Sequence, residues 1–116
     1  MRDIKFDFYS VKYGTIITQK ESRGIAIQAL LENPENVIPL QHVGVDRNGT
    51  TILEGSIGNY GGENYVVIYS DSFSMYQIYT DGSMDDLEAK YFKIVGHVLT
   101  SPHFVPWFDR FSYFNL

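Results

Sequence analysis

The side chains able to do acid–base or metal chemistry are few and scattered. The imidazoles are His42, His97 and His103, and the carboxylates of the middle of the chain are Asp46, Glu54, Glu63, Asp71, Asp81, Asp85, Asp86 and Glu88. No two histidines stand at the i, i+4 or short-loop spacing of a metal site, so no metal is read and no cofactor is expected. The chain has no cysteine, which removes thiol nucleophiles, thiolate ligands and disulfides together. Neither a Gly-x-Ser-x-Gly elbow nor a Walker loop is present. Gly58-Asn59-Tyr60-Gly61-Gly62 carries two adjacent glycines, but no helix pattern begins after them, as a phosphate cradle requires; the segment reads as a loop. Paired carboxylates work as acid and base only when their environments split their pKa values. Asp85-Asp86-Leu87-Glu88 reads instead as one helical turn or a solvated acidic loop. Glu54 stands apart because Gly55 follows it. Its expected role is to bond backbone donors freed by a bend, with action beside a histidine as the catalytic alternative. No residue is therefore assigned as catalytic.

The elements that would position these groups centre on Gln41 to Ile57. Asn48-Gly49 between two β-prone runs predicts a hairpin with a type I′ turn, which needs two residues of positive φ. Asp46 is placed to cap that turn through its side chain. Gly44 and Gly55 flank it, and glycine within a strand pattern marks a bulge or a close approach. Gly44, Asn48, Gly49, Glu54 and Gly55 thus form a structural motif of a strongly bent hairpin.

This stretch resembles the signature of the YopX-like family of small phage and prophage proteins. Gln41, Gly44, Asp46, Asn48, Gly49, Ile52, Glu54, Gly55 and Ile57 match it in place. Met1-Arg2-Asp3-Ile4-Lys5-Phe6 is similar to the family's opening. Ile94-Val95-Gly96-His97-Val98, followed by Ser101-Pro102, is similar to its ending. Ser56 stands where the family usually has Asp, and His97 where it usually has Asn. The family has no established activity, so the resemblance implies a phage or prophage setting and not a mechanism.

With 116 residues, 44% of them hydrophobic and 20% charged, the chain is expected to form a single ordered domain over 1–116. The net charge of −5 counts against non-specific nucleic-acid binding. No apolar run approaches the roughly 20 residues that span a bilayer, and no signal-peptide core follows the charged N-terminus. No membrane association is expected, and the expected location is the cytoplasm of the host cell.

Alternation predicts strands at Ile4–Val11, Ile16–Thr18, Asn36–Val45, Ile52–Ile57, Tyr65–Tyr69, Phe73–Tyr79 and Tyr91–Leu99. Within Phe73–Tyr79 both faces carry bulky side chains, which suggests burial on one side and a partner or rim on the other. Ser22–Asn33 predicts the one packed helix, with Ser22 as N-cap, an Ile27/Leu30/Leu31 stripe and Pro34 as its stop. Residues 103–116 form an aromatic-rich C-terminal extension. Phe104, Trp107, Phe108 and Phe111 follow i, i+3, i+4, i+7 spacing, so a short amphipathic helix after Pro106 is expected. So much apolar surface must be buried, either in the chain's own core or against another chain.

The fold class is α+β: mainly antiparallel β, with a strongly bent sheet or small barrel and one packed helix. The expected function is contact with a protein partner, such as a host protein, without catalysis, as a host-takeover or anti-defence factor or an assembly accessory. Self-association through the tail, as a homo-oligomer, is part of that expectation. The alternatives are a single-stranded nucleic-acid-binding β domain, stacking bases on exposed aromatics, and a small enzyme using Glu54 with a histidine.

Overall fold

The computed structural model describes residues 5–18 and 36–116. The helix expected over Ser22–Asn33 and residues 1–4 of the opening block lie outside them. The described residues are mainly antiparallel β with a strongly curled sheet and one short helix, an α+β fold. By their contacts they fall into two compact units, Met1–His42 and Val43–Leu116.

In the first unit, β1 (Phe6–Ser10) pairs with β2 (Thr15–Ile17) and with the start of β3 (Val37–Val45), both antiparallel. Phe8 stands opposite Pro39 and Leu40 opposite Asp7, so Phe8 and Leu40 fall on opposite faces of this ladder, and both are buried. The β1–β2 turn closes through Gly14, at φ +66°.

In the second unit, β4 (Thr51–Leu53) is followed by β5 (Ser56–Tyr60), β6 (Glu63–Ser70), β7 (Met75–Thr80), β8 (Ser83–Asp86) and β9 (Lys93–His97). The last five form one sheet in the order β8-β7-β6-β5-β9, antiparallel throughout. The predicted run Ile52–Ile57 is thus two strands. Glu54-Gly55 makes a turn that carries the chain from the β3–β4 ladder into the five-stranded sheet.

Three local expectations are corrected by the backbone. The β3–β4 loop is not type I′. Gly49 is at φ +83°, but Asn48 is not in the left-handed region. Gly49 N–H donates to Asp46 C=O at 3.1 Å and Asp46 N–H to Thr50 C=O at 2.8 Å, which encloses a three-residue loop with a single left-handed glycine. The two consecutive positive-φ residues occur instead at Gly61 and Gly62, at φ +61° and +87°. They join β5 to β6 with Tyr60 opposite Glu63. Gly58-Asn59-Tyr60, read as loop, is therefore strand. Asp85 and Asp86, read as a helical turn or loop, end β8 and pair with Ile78 and Gln77.

Register explains how both faces of the central strands are buried. Tyr65, Val67 and Ile78 share one face and pack with Ile52 and Phe92 into the core. The Phe92 ring lies directly on the Cα of Gly58, where any Cβ would collide with it. Ile57, Val66 and Tyr79 are aligned on the opposite face, and Ile57 and Val66 are fully buried as well. The cover there is the chain's own C-terminal segment. Trp107 meets Tyr79 edge-on at 5.7 Å between ring centres, and Val105 is buried. On the second bulky face of Phe73–Tyr79 the segment thus covers Tyr79, and Gln77 is buried, while Phe73 and Met75 stay exposed.

The helix of that segment lies further on than the spacing suggested. A 3₁₀ turn spans Pro102–Phe104, and α1 covers Arg110–Phe114. Asp109 caps α1 by accepting from Ser112 N–H, and Asn115 ends it in the left-handed conformation. Phe104, Trp107, Phe108 and Phe111 therefore do not lie on one helical stripe. A capping Asp at 109 starts the helix after most of the predicted face has passed.

Candidate functional site

The densest constellation of polar side chains gathers round the Glu54-Gly55 turn. Four backbone groups of the turn are tied by named bonds. Leu53 N–H donates to Ser56 Oγ at 2.8 Å, and Gly55 N–H to Val67 C=O at 2.7 Å. Gly55 C=O accepts from Val98 N–H at 3.0 Å, and Glu54 C=O accepts from His97 Nε2–H at 2.7 Å. Gly55 is at φ +85°, and a Cβ there would stand 2.8 Å from the His97 ring and 2.9 Å from Phe114. Glycine is required twice over, by conformation and by the rings that lie against it.

His97 is buried, and its tautomer follows from its partners. Leu99 N–H can only donate, and it meets His97 Nδ1 at 3.1 Å; Glu54 C=O can only accept, so Nε2 carries the proton. Burial lowers the pKa of His97 from 6.5 to about 4, against the opposing pull of the Glu54 carbonyl, which favours the protonated ring. The ring is therefore neutral at neutral pH.

The Glu54 carboxylate does not meet an imidazole. The Tyr113 hydroxyl donates to Oε2 at 2.6 Å and the Tyr76 hydroxyl to Oε1 at 3.4 Å. The Tyr113 oxygen also accepts from Tyr69 N–H at 2.9 Å. The anticipated partners of Glu54 were backbone donors; the observed ones are phenols. The 2.6 Å bond is in the range of charge-assisted O–H···O⁻ contacts. Burial first, and then the Glu54 charge and hydrogen bond, push the Tyr76 hydroxyl well above its ordinary pKa of 10. Burial and the hydrogen bond to Glu54 do the same for Tyr113. Both phenols remain protonated donors, and together they fasten α1 and β7 to the turn.

A second polar centre is Asp46. Its Oδ1 accepts from Asn48 N–H and Thr50 N–H, each at 2.8 Å, and its Oδ2 from Ile94 N–H at 2.9 Å. Burial opposes the charge, but the three backbone donors and the neighbouring Arg47 outweigh it, and the pKa is lowered below 3.8. Arg47 N–H adds a 3.2 Å bond to Phe92 C=O. The loop is thus tied to the start of β9. In the first unit, His42 Nε2 lies 2.7 Å from Asp7 Oδ1, and Asp7 is buried.

Of the sequence-predicted residues, Gly49, Glu54 and Gly55 have defined conformational or bonding roles. Gly44 lies in β3 with open space round it and no positive φ. His103 is exposed and packs on Phe104 at 4.5 Å. Phe104 and Phe111 remain exposed, whereas Trp107 and Phe108 are half-buried. Tyr69, Tyr76 and Tyr113 escaped sequence reasoning because the bond to Glu54 from Tyr113 joins residues 59 apart. The Asp7–His42 pair spans 35 positions and likewise leaves no local mark. Among the described residues, no three His, Asp or Glu side chains gather as a metal site, and no helix is long and apolar enough to cross a membrane.

No protein-family model matches the chain, and no curated protein matches it.

Proposed function

We propose that this chain is a non-enzymatic protein-binding domain, an accessory protein of phage or prophage origin that acts on a protein partner in the host cell. The observation that carries the reading is how the Glu54 constellation is used. Its carboxylate is held by two phenols and His97 is saturated by two backbone groups. General acid–base work needs a group that can reach a substrate proton; these groups hold a turn and a tail together. Meanwhile Phe73, at the β6–β7 tip, is 68% exposed and Phe111 54%. Aromatic side chains of this kind are enriched at protein interfaces.

The two departures from the YopX-like signature fit the same setting. Ser56 Oγ accepts a backbone N–H, as an Asp oxygen could. Neutral His97 donates on one side and accepts on the other, as an Asn amide could.

The test is capture on the immobilised protein from host lysate, identification of the bound protein and reconstitution with the purified partner, with sizing of both. A defined complex of the two purified proteins supports the reading. Salt-sensitive, saturable binding of a single-stranded oligonucleotide would replace it with the nucleic-acid alternative. A second reading, a small enzyme, is favoured by one observation. The Asp7–His42 pair has the geometry that orients an imidazole as a base. A turnover lost in His42→Ala, with folding intact, would establish it.

A further inference from the structure

The two edges of the five-stranded sheet differ. At β9, Ile94 N–H is taken by Asp46 and the neighbouring Phe92 C=O by Arg47 N–H. At the other edge, Ser83, Met84, Asp85 and Asp86 are all exposed, and among the described residues no strand pairs on the outer side of β8. An open edge presents a row of backbone donors and acceptors that can accept another strand.

The charge at this edge has one sign. Between Arg47 and Lys90 the chain contains no Lys or Arg, while Glu54, Glu63, Asp71, Asp81, Asp85, Asp86 and Glu88 all fall there. Asp81, Asp85, Asp86 and Glu88 lie on or beside β8. A second copy of this chain would bring the same carboxylates together, and like charges across a strand pair are destabilising. A basic strand is the complementary occupant.

An independent observation lies behind the edge. Gln77, opposite Asp86 in the ladder, is 6% exposed. Its amide is aimed at Asp86, with Nε2–H donating to Oδ1 at 3.2 Å. Its Oε1 is buried and has no donor. Buried acceptors are normally satisfied. A Lys or Arg side chain pairing with Asp86 would bring the kind of donor that this oxygen lacks.

We propose that β8 is the docking edge for an extended, basic segment of a protein partner, added to the sheet as a further strand. Neighbouring basic side chains of that segment meet Asp85 and Asp86, one on each face, and an apolar side chain meets Met84, which is 43% exposed. This rests on the protein-binding reading above and names its surface and its partner's chemistry.

The test uses the full chain and a fluorescein-labelled Thr-Val-Lys-Lys-Val-Thr peptide. Controls replace the two lysines by glutamates, or one valine by proline, which cannot donate to a ladder. Expected are binding of the lysine peptide that weakens with salt, no binding of either control, and slowed amide exchange at Met84 to Asp86. The double charge reversal Asp85→Lys with Asp86→Lys, on exposed positions, should lower affinity by roughly tenfold or more. Absence of binding, equal binding of the proline peptide, protection confined to other strands, or an unchanged affinity after charge reversal overturns the proposal. A captured protein partner that binds wild type and charge-reversed chain alike also overturns it, while leaving the protein-binding reading in place. Peptide binding at β8 without any captured partner supports the edge and counts against that reading.

Discussion

His97 couples folding to pH. Its folded-state pKa, about 4, lies below the ordinary 6.5, so the unfolded chain binds the proton more readily. The stability this contributes is complete above pH 6.5 and is lost as pH falls from 6.5 toward 4, roughly 3 kcal/mol over the window. Urea midpoints measured across that window should fall steadily in wild type and much less in His97→Gln. Below it, Asp46 takes over. Its pKa is depressed from 3.8, so its contribution is present above 3.8 and disappears as pH falls through the lower folded-state value. Asp46→Asn replaces an oxygen that accepts backbone N–H with an NH₂ that cannot. It should cost about 1–3 kcal/mol at neutral pH, read from equilibrium unfolding.

At the scale of the element, the turns show how a side chain selects a backbone. Asn48-Gly49 has the composition of a type I′ turn, yet Asp46 draws both Asn48 N–H and Thr50 N–H onto one carboxylate oxygen. The longer loop that results leaves one residue in the left-handed region. Asn48→Ala should therefore change stability by less than about 0.5 kcal/mol, the range of surface substitutions. Gly49→Ala should cost about 1–2 kcal/mol, because its φ of +83° is strained for any side chain. Equal losses in the two variants, measured by thermal unfolding, would contradict the loop described. The opposite case is Gly61-Gly62, whose backbone freedom alone meets the two-residue requirement.

For the Val43–Leu116 unit as a whole, the aromatic segment acts as cover. Ile57, Val66 and Tyr79 face it, and Trp107, Phe108, Tyr113 and Phe114 continue ring to ring from Tyr79 to His97. Removing residues after Pro102 uncovers that face and strips Glu54 of its Tyr113 donor. The truncated chain should lose cooperative unfolding or expose dye-binding apolar surface. A tail that served only to join copies would leave monomer stability unchanged, and light scattering beside calorimetry separates the two outcomes. Phe104 and Phe111 remain available for contact, whereas Trp107 and Tyr113 are already engaged within the chain.

What the residues determined alone is what depends on near neighbours. Alternation marked most strands because its period is set by the backbone itself, and Gly49 marked a turn because only glycine adopts positive φ without strain. The antiparallel, α+β character was legible for the same reason. What folding decided is everything that joins distant positions. Glu54 gains its phenols from β7 and α1, Asp46 gains Ile94, and the second face of β6 gains a cover supplied by the end of the chain. No local pattern records such pairings, since each depends on register and on which strands become neighbours. The acidic run at Asp85-Asp86 is the clearest instance. Its composition suggested a solvated loop, and only its pairing with Gln77 and Ile78 made it the open edge of a sheet.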